Sequence, residues 1–301
     1  RGYHGMNIGA TTVGGMINNV KTFASVLMPG VQHMRHTHLP EHKFVKGEPD
    51  TGVEMAEDLE RIAMNFGGEN IAACIIEPIA GSTGTLVPPK GYLKRIRDIC
   101  NKHGILLIFD EVITGWGRTG SAFAAQEWNV TPDIMTMAKA TTNGVVPMGV
   151  VAVKEEIYDS VLDASSAPEG TPELFHGYTY SGIPVAVAAA LAVQDIFDKE
   201  DLINRAKEMS PYFQDGLHSL KDLKEIVSIR GYGMMGGIEI NMKEKPGKAG
   251  YQVFKHCYDA GVNFKNTGDN LIIAPQFICE KKHIDEIIEK LRTGISNYSK
   301  S

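Results

Sequence analysis

Apolar positions along the chain follow two different periods, and these divide it into strands and helices. Short unbroken apolar runs predict strands buried on both faces. They are Asn70-Ile-Ala-Ala-Cys-Ile-Ile-Glu77, Ile105-Leu-Leu-Ile-Phe-Asp110, Asp133-Ile-Met-Thr-Met-Ala-Lys139 and Gly149-Val-Val-Ala-Val-Lys154. Val53, Met55, Leu59, Ile62 and Ala63 recur near helical spacing and predict a helix over 52–66. A second helix is predicted over 92–102, ended by Gly104 as a C-terminal glycine ends one. A long apolar-faced helix is predicted over 183–208, with Pro184 where a first turn tolerates it. Residues 1–50 show no sustained period and predict loop, with a helical piece near 11–25.

Strands and helices joined by short connections predict an α/β fold, a mostly parallel sheet with helices on both faces. From about Leu217 the pattern changes. Strands over 225–229, 238–240 and 270–274, helices over 247–260 and 281–298, and a Gly-rich turn over 231–237 predict a smaller α+β unit. The chain then divides into a large unit, 1–208, and a small C-terminal one, 209–301.

Bulk properties narrow the class. The 301 residues are 43% hydrophobic, enough for a large core. The formal net charge of -6 argues against nucleic acid or anionic membranes as main partners. No apolar run approaches the roughly 18 residues of a membrane span, and no charged-then-apolar leader opens the chain. The four cysteines are scattered without metal-like spacing, and Cys74 and Cys100 read as buried thiols in a reducing cytoplasm. The chain opens at Arg1 with neither strand nor cap before Tyr3-His4-Gly5, which reads as the interior of a longer protein.

The chemistry concentrates at two strand ends. Asp110 and Lys139 close neighbouring strands, where open α/β sheets bind ligands. A lysine there can form a Schiff base, and an aspartate can keep the ring nitrogen of pyridoxal phosphate protonated. Taken singly, Asp110 would be a helix cap and Lys139 a snorkelling strand end; together at one sheet edge they point to catalysis. Gly115-Trp-Gly-Arg-Thr-Gly120 fits the dinucleotide pattern, but Asp110 and Glu111 intervene after the strand, Trp116 crowds the loop, and the next strand ends in Lys139 rather than an acid. Arg118 could bind a phosphate or carboxylate, or form a structural ion pair. His33, His36, His38 and His42 are loosely spaced with no companion cysteine or acidic cluster, and read as an exposed loop rather than a metal site.

Four ordered motifs resemble a known family, the class III aminotransferases, and most of all its ω-amino acid (β-alanine):pyruvate branch. They are Glu77-Pro-Ile, Asp110-Glu-Val-Ile-Thr-Gly with Gly117-Arg-Thr-Gly120, Ala138-Lys139-Ala-Thr-Thr-Asn-Gly144, and Phe175-His-Gly-Tyr-Thr-Tyr-Ser-Gly182. The resemblance runs from residue 1 to about 298. It implies a homodimeric transferase of fold type I that uses pyridoxal 5'-phosphate, with an amine or ω-amino acid as donor and pyruvate as acceptor.

It assigns Lys139 to the Schiff base, Asp110 to the pyridine nitrogen, Tyr3 to one ring face and Val112 to the other. Thr179 would reach the cofactor phosphate of the neighbouring subunit. His4 and Glu77 match positions around the cofactor. Where relatives place an arginine for the substrate carboxylate, this chain has Lys265, which keeps the charge and loses the bidentate fork. The family also carries an upstream segment with a phosphate-binding helix N-terminus; without it, an exposed sheet edge and low solubility are expected. Rival expectations are an aminomutase or decarboxylating transaminase on the same scaffold, or a non-catalytic assembly subunit.

Overall fold

The computed structural model describes residues 2–165, 174, 176–241 and 245–300, without the side chains of the last two. Two four-stranded sheets organise the described residues. The first contains β1 (Ala73–Ile76), β2 (Leu106–Asp110), β3 (Ile134–Met137) and β4 (Val150–Val153), in that order. β1, β2 and β3 are parallel, with Ile76 opposite Phe109 and Asp110 opposite Thr136. β4 runs antiparallel to β3. The 138–149 connection holds only a 3-10 turn, Lys139–Thr141, instead of the crossover helix a parallel return needs.

Helices Glu57–Phe66 and Tyr92–His103 bury Leu59, Ala63, Leu93, Ile96 and Ile99 against Leu107 and Phe109. Gly104 ends the second helix at φ 69°, its N–H on the Cys100 carbonyl, and turns the chain into β2. Asp133 fastens the sheet. Its carboxylate accepts from the Leu107 N–H (2.7 Å), Arg97 Nη1 (2.7 Å) and Lys154 Nζ (2.7 Å). One carboxylate therefore joins β2, the head of β3, the end of β4 and the helix beneath. These contacts hold it below the ordinary aspartate pKa despite the opposing cost of burial.

The long helix expected over 183–208 is two helices, Pro184–Lys199 and Leu202–His218. Asp201 sits in the left-handed region at φ 48°, and its Oδ1 accepts from Asn204 Nδ2 at 2.8 Å. The break turns Leu202 and Ala206 into a second core that also holds Phe213 and Leu217. The helix Leu202–His218 runs unbroken through position 208, where the sequence pattern placed the division.

The second sheet is antiparallel, in the order β5 (Ile226–Tyr232), β6 (Met235–Ile240), β8 (Asn270–Ile273), β7 (Lys265–Thr267). Helices Leu202–His218, Lys248–Asp259 and Lys281–Lys300 contribute to the core it shares. The β5–β6 hairpin turns at Gly233, φ 57°, where a Cβ would lie 2.4 Å from the Arg118 carbonyl oxygen. Only glycine allows that approach, which ties the hairpin to the loop after β2 through Met234 N–H and Arg118 O. β7 was read as loop from the sequence; its three residues pair with β8 across the Gly268–Asp269 turn.

β1 and β4 are the free edges of the first sheet among the described residues. Val151, Val153, Val185 and Leu191 are exposed on β4 and the following helix. No helix among the described residues is long and apolar enough to cross a membrane.

Candidate active site

The carboxyl ends of β1, β2 and β3 gather the site. Glu77 directly follows β1, and its two oxygens accept from the Tyr3 N–H (2.8 Å) and the Gly81 N–H (2.9 Å). It thus pins the N-terminal segment to the turn that leaves β1. Burial pushes its carboxyl pKa up and nearby Asp110 adds to the rise, while the two N–H donors and His4 pull it down.

Asp110 ends β2. One oxygen accepts from the Val112 N–H at 3.1 Å, and the other lies 2.8 Å from His4 Nδ1. Both side chains of the His4–Asp110 pair are nearly enclosed, at 5% and 7% exposure. Each Asp110 oxygen keeps a free lone-pair direction, so the carboxylate can still accept from a ligand.

Lys139 stands just beyond β3 at φ 47°, a backbone region that side-chain-bearing residues rarely occupy. Such strain, held in place by surrounding structure, gathers at functional sites. The Thr141 Oγ supports the turn, donating to the Ala138 carbonyl (3.1 Å) and accepting from Trp116 Nε1 (3.0 Å). Lys139 opens into a cavity of about 540 Å3 whose walls include Ser82, Val112, Asn143 and Lys265. Partial burial lowers the pKa of its amine, although the residue as a whole stays exposed; Asp110 and Glu77 oppose the shift, and Lys265 adds to it. Lys265, on β7, places Nζ 3.1 Å from Ser82 Oγ and 5.9 Å from the centre of the Tyr3 ring.

The structure therefore brings together Tyr3, His4, Glu77, Asp110, Val112, Lys139 and Lys265. Thr179 stays apart, on an exposed turn, and the first residue of its motif, Phe175, lies outside the described residues. Arg118 lines the same cavity, and among the described residues it forms no ion pair. Its Nη1 donates to the Met234 (2.8 Å) and Pro275 (2.6 Å) carbonyls, and its guanidinium lies 4.4 Å from the Phe277 ring centre. Burial lowers its pKa to about 10. The histidines of the 33–42 segment bind locally: His33 Nε2 meets the Gly14 carbonyl at 3.0 Å and His42 Nε2 the Thr51 carbonyl at 2.9 Å. A larger cavity of about 750 Å3 runs along β1 and reaches His4 and Glu77 but not Lys139.

Two residues escaped the sequence reading. Glu111, fully buried, accepts from Thr114 Oγ1 (2.6 Å) and the Ala124 (2.9 Å) and Ala125 (2.8 Å) N–H groups, and shapes the loop after Asp110. Its adjacency to Asp110 was the available signal. Ser82 meets Lys265 across 183 residues of sequence, and no local pattern announces that contact.

Comparison with known proteins gives the family. A family model described as "Aminotransferase class-III" matches residues 1–295. An omega-aminotransferase of Caulobacter vibrioides is 49% identical over 294 residues, covering 97% of this chain and 66% of that protein. An omega-amino acid–pyruvate aminotransferase of Pseudomonas putida is 43% identical over 295 residues, covering 96% of this chain and 64% of that protein. Among solved structures, the omega transaminase from Pseudomonas jessenii in complex with PMP superposes with a TM-score of 0.91 at 29% identity, covering 99% of this chain and 67% of that one. The chain belongs to the class III aminotransferases and has the fold of type I pyridoxal phosphate-dependent enzymes. It spans just under two thirds of the length of these curated relatives.

Proposed function

We propose that this chain carries the catalytic centre of a pyridoxal phosphate-dependent aminotransferase, moving an amino group from an ω-amino acid or amine to pyruvate. The observation that carries the reading is Lys139 lining the cavity at a left-handed backbone position, its pKa lowered, in the electrostatic reach of Asp110, which pairs with His4. The donor set fits the cofactor: a buried carboxylate with lone pairs to spare, a lysine with a lowered pKa, and a cavity lined by that lysine, Val112, Ser82 and Lys265.

Lys139 would hold pyridoxal phosphate covalently, Asp110 would face its ring nitrogen, and Tyr3 and Val112 would cover its faces. When bound, the cofactor supplies the electron sink that makes a substrate Cα–H acidic. The Asp110 carboxylate, which His4 fixes at 2.8 Å, would hold a proton at the ring nitrogen. Lys139 Nζ would serve as the base that takes a substrate Cα proton and the acid that returns it. Its lowered pKa would favour the neutral amine that accepts a proton. Lys265 offers its ammonium to a substrate carboxylate, as a single point charge.

We further assign the working form as a homodimer in which Thr179, exposed here, reaches the neighbouring subunit's cofactor phosphate. The exposed turn is what supports that assignment. The four free cysteines fit a reducing cytoplasm. We place the joint between the large and small units near Asp201, where the helix breaks.

The test is to add pyridoxal phosphate to the purified protein, reduce with borohydride and map the adduct by mass spectrometry. A visible absorption band and an adduct on Lys139, both lost in Lys139→Ala, are expected, with alanine formed from pyruvate and an amine donor. An adduct confined to other lysines would overturn the reading.

A further inference from the structure

Lys265 and Ser82 come from different sheets. Lys265 lies on β7 of the second sheet, and Ser82 lies in the Gly81-Ser-Thr-Gly-Thr85 turn that leaves the first. The Ser82 hydroxyl is buried, at 5% exposure, whereas the lysine stem is exposed and reaches across to it at 3.1 Å. A lysine side chain is flexible and carries about 2 kcal/mol of rotamer entropy. One buried acceptor near its tip therefore decides where the charge stands.

The turn that holds Ser82 is itself clamped. The Arg230 guanidinium on β5 is 4% exposed; its Nε donates to the Gly84 carbonyl at 2.7 Å and its Nη2 donates to Asn270 Oδ1. Asn270 pairs with Thr267, two residues from Lys265, across the β7–β8 hairpin. Both ends of the Ser82–Lys265 contact are thus tied to one guanidinium. The arrangement has the form of a positioning device for a cation at the cavity wall.

We propose that Ser82 is a specificity-positioning residue: its hydroxyl fixes the Lys265 ammonium in the cavity so that carboxylate-bearing substrates are favoured over amines without one. The inference rests on the aminotransferase reading above. Ser82 acts through Lys265 and moves no proton. With Ser82 removed, the ammonium samples several rotamers, and an acid substrate must bear the cost of ordering it.

The test compares wild type, Ser82→Ala, Ser82→Thr, Lys265→Met and the Ser82→Ala/Lys265→Met double variant. Each is assayed with β-alanine and with a simple alkylamine as donor, pyruvate being saturating. Ser82→Ala is expected to raise KM for β-alanine roughly tenfold, the effect of losing about one charged hydrogen bond, with kcat within about twofold. The alkylamine KM should stay unchanged, Ser82→Thr should restore the β-alanine value, and Ser82→Ala should add nothing in the Lys265→Met background. Equal KM changes for both donors, or a full Ser82→Ala effect in the Lys265→Met background, would overturn the proposal. Borohydride mapping of Lys139 in the same variants separates the two ideas: an intact Lys139 adduct beside equal KM changes refutes the Ser82 role alone, whereas loss of that adduct from the wild type refutes the underlying reading.

Discussion

Replacing Arg230 by methionine tests the clamp that joins the two sheets. The guanidinium is 4% exposed and donates to Gly84 O (2.7 Å), Ser228 Oγ (3.0 Å), Glu239 Oε2 (3.2 Å) and Asn270 Oδ1. Methionine fills much of the same volume and donates to none of them. Ser228 is completely buried and loses a partner, and the Gly84 carbonyl loses its charged donor; each orphaned acceptor costs about 1–3 kcal/mol. Glu239 is 37% exposed and turns to water at small cost. Against this, burial lowers the Arg230 pKa, so removing the charge returns part of a desolvation cost. The balance is a loss of about 3–5 kcal/mol, the usual range for breaking a buried charged network. Urea unfolding measures it as a lower midpoint at constant slope. Arg230→Lys, with the charge and no fork, should fall between the two. A loss below about 1 kcal/mol for Arg230→Met would show that the clamp is not structural and would refute the reasoning.

Phe109→Ala, at a site with no exposure between Ile76 and the helix core, should cost about 3–5 kcal/mol by the same assay. Glu111→Gln leaves one oxygen where three donors now converge and should cost about 2 kcal/mol or more. Its pH dependence has a definite sign: burial raises the Glu111 pKa above the ordinary 4.5, so the native state binds that proton more tightly than the unfolded chain. Wild-type stability through this group is full below 4.5 and declines as pH rises through the native value, so the gap to Glu111→Gln should narrow with rising pH; a gap that widens refutes the assignment. For Lys139, the lowered pKa predicts that the amine reacts with pyridoxal phosphate with a pH midpoint below the ordinary 10.5. Lys265→Met should move that midpoint up and Asp110→Asn should move it down, as read by adduct formation against pH.

Much of the fold could be read from the sequence because its strands are local apolar runs ending in chemistry. β1, β2 and β3 fall within the predicted runs, and Gly104 stops its helix where a left-handed glycine should. Asp110 and Lys139 were legible together because a buried strand forbids charge along its length, so a charge at its end stands out. The resemblance added Tyr3, His4, Glu77 and Lys265, and the structure brings all four to the same cluster.

What the sequence alone determined, then, is the set of strands in the first sheet, the helix faces and the placing of a lysine and an aspartate at neighbouring strand ends, since periodicity acts over a few residues. Of those strands, β4 is exposed rather than buried. The tertiary structure decided the direction of β4, the helix break at Asp201 and the hairpin that carries Lys265. It alone joined His4 to Asp110 across 106 positions and Ser82 to Lys265 across 183. These depend on which distant group fills a hydrogen-bonding site once the core has closed, and the local pattern of apolar and polar residues does not encode that choice.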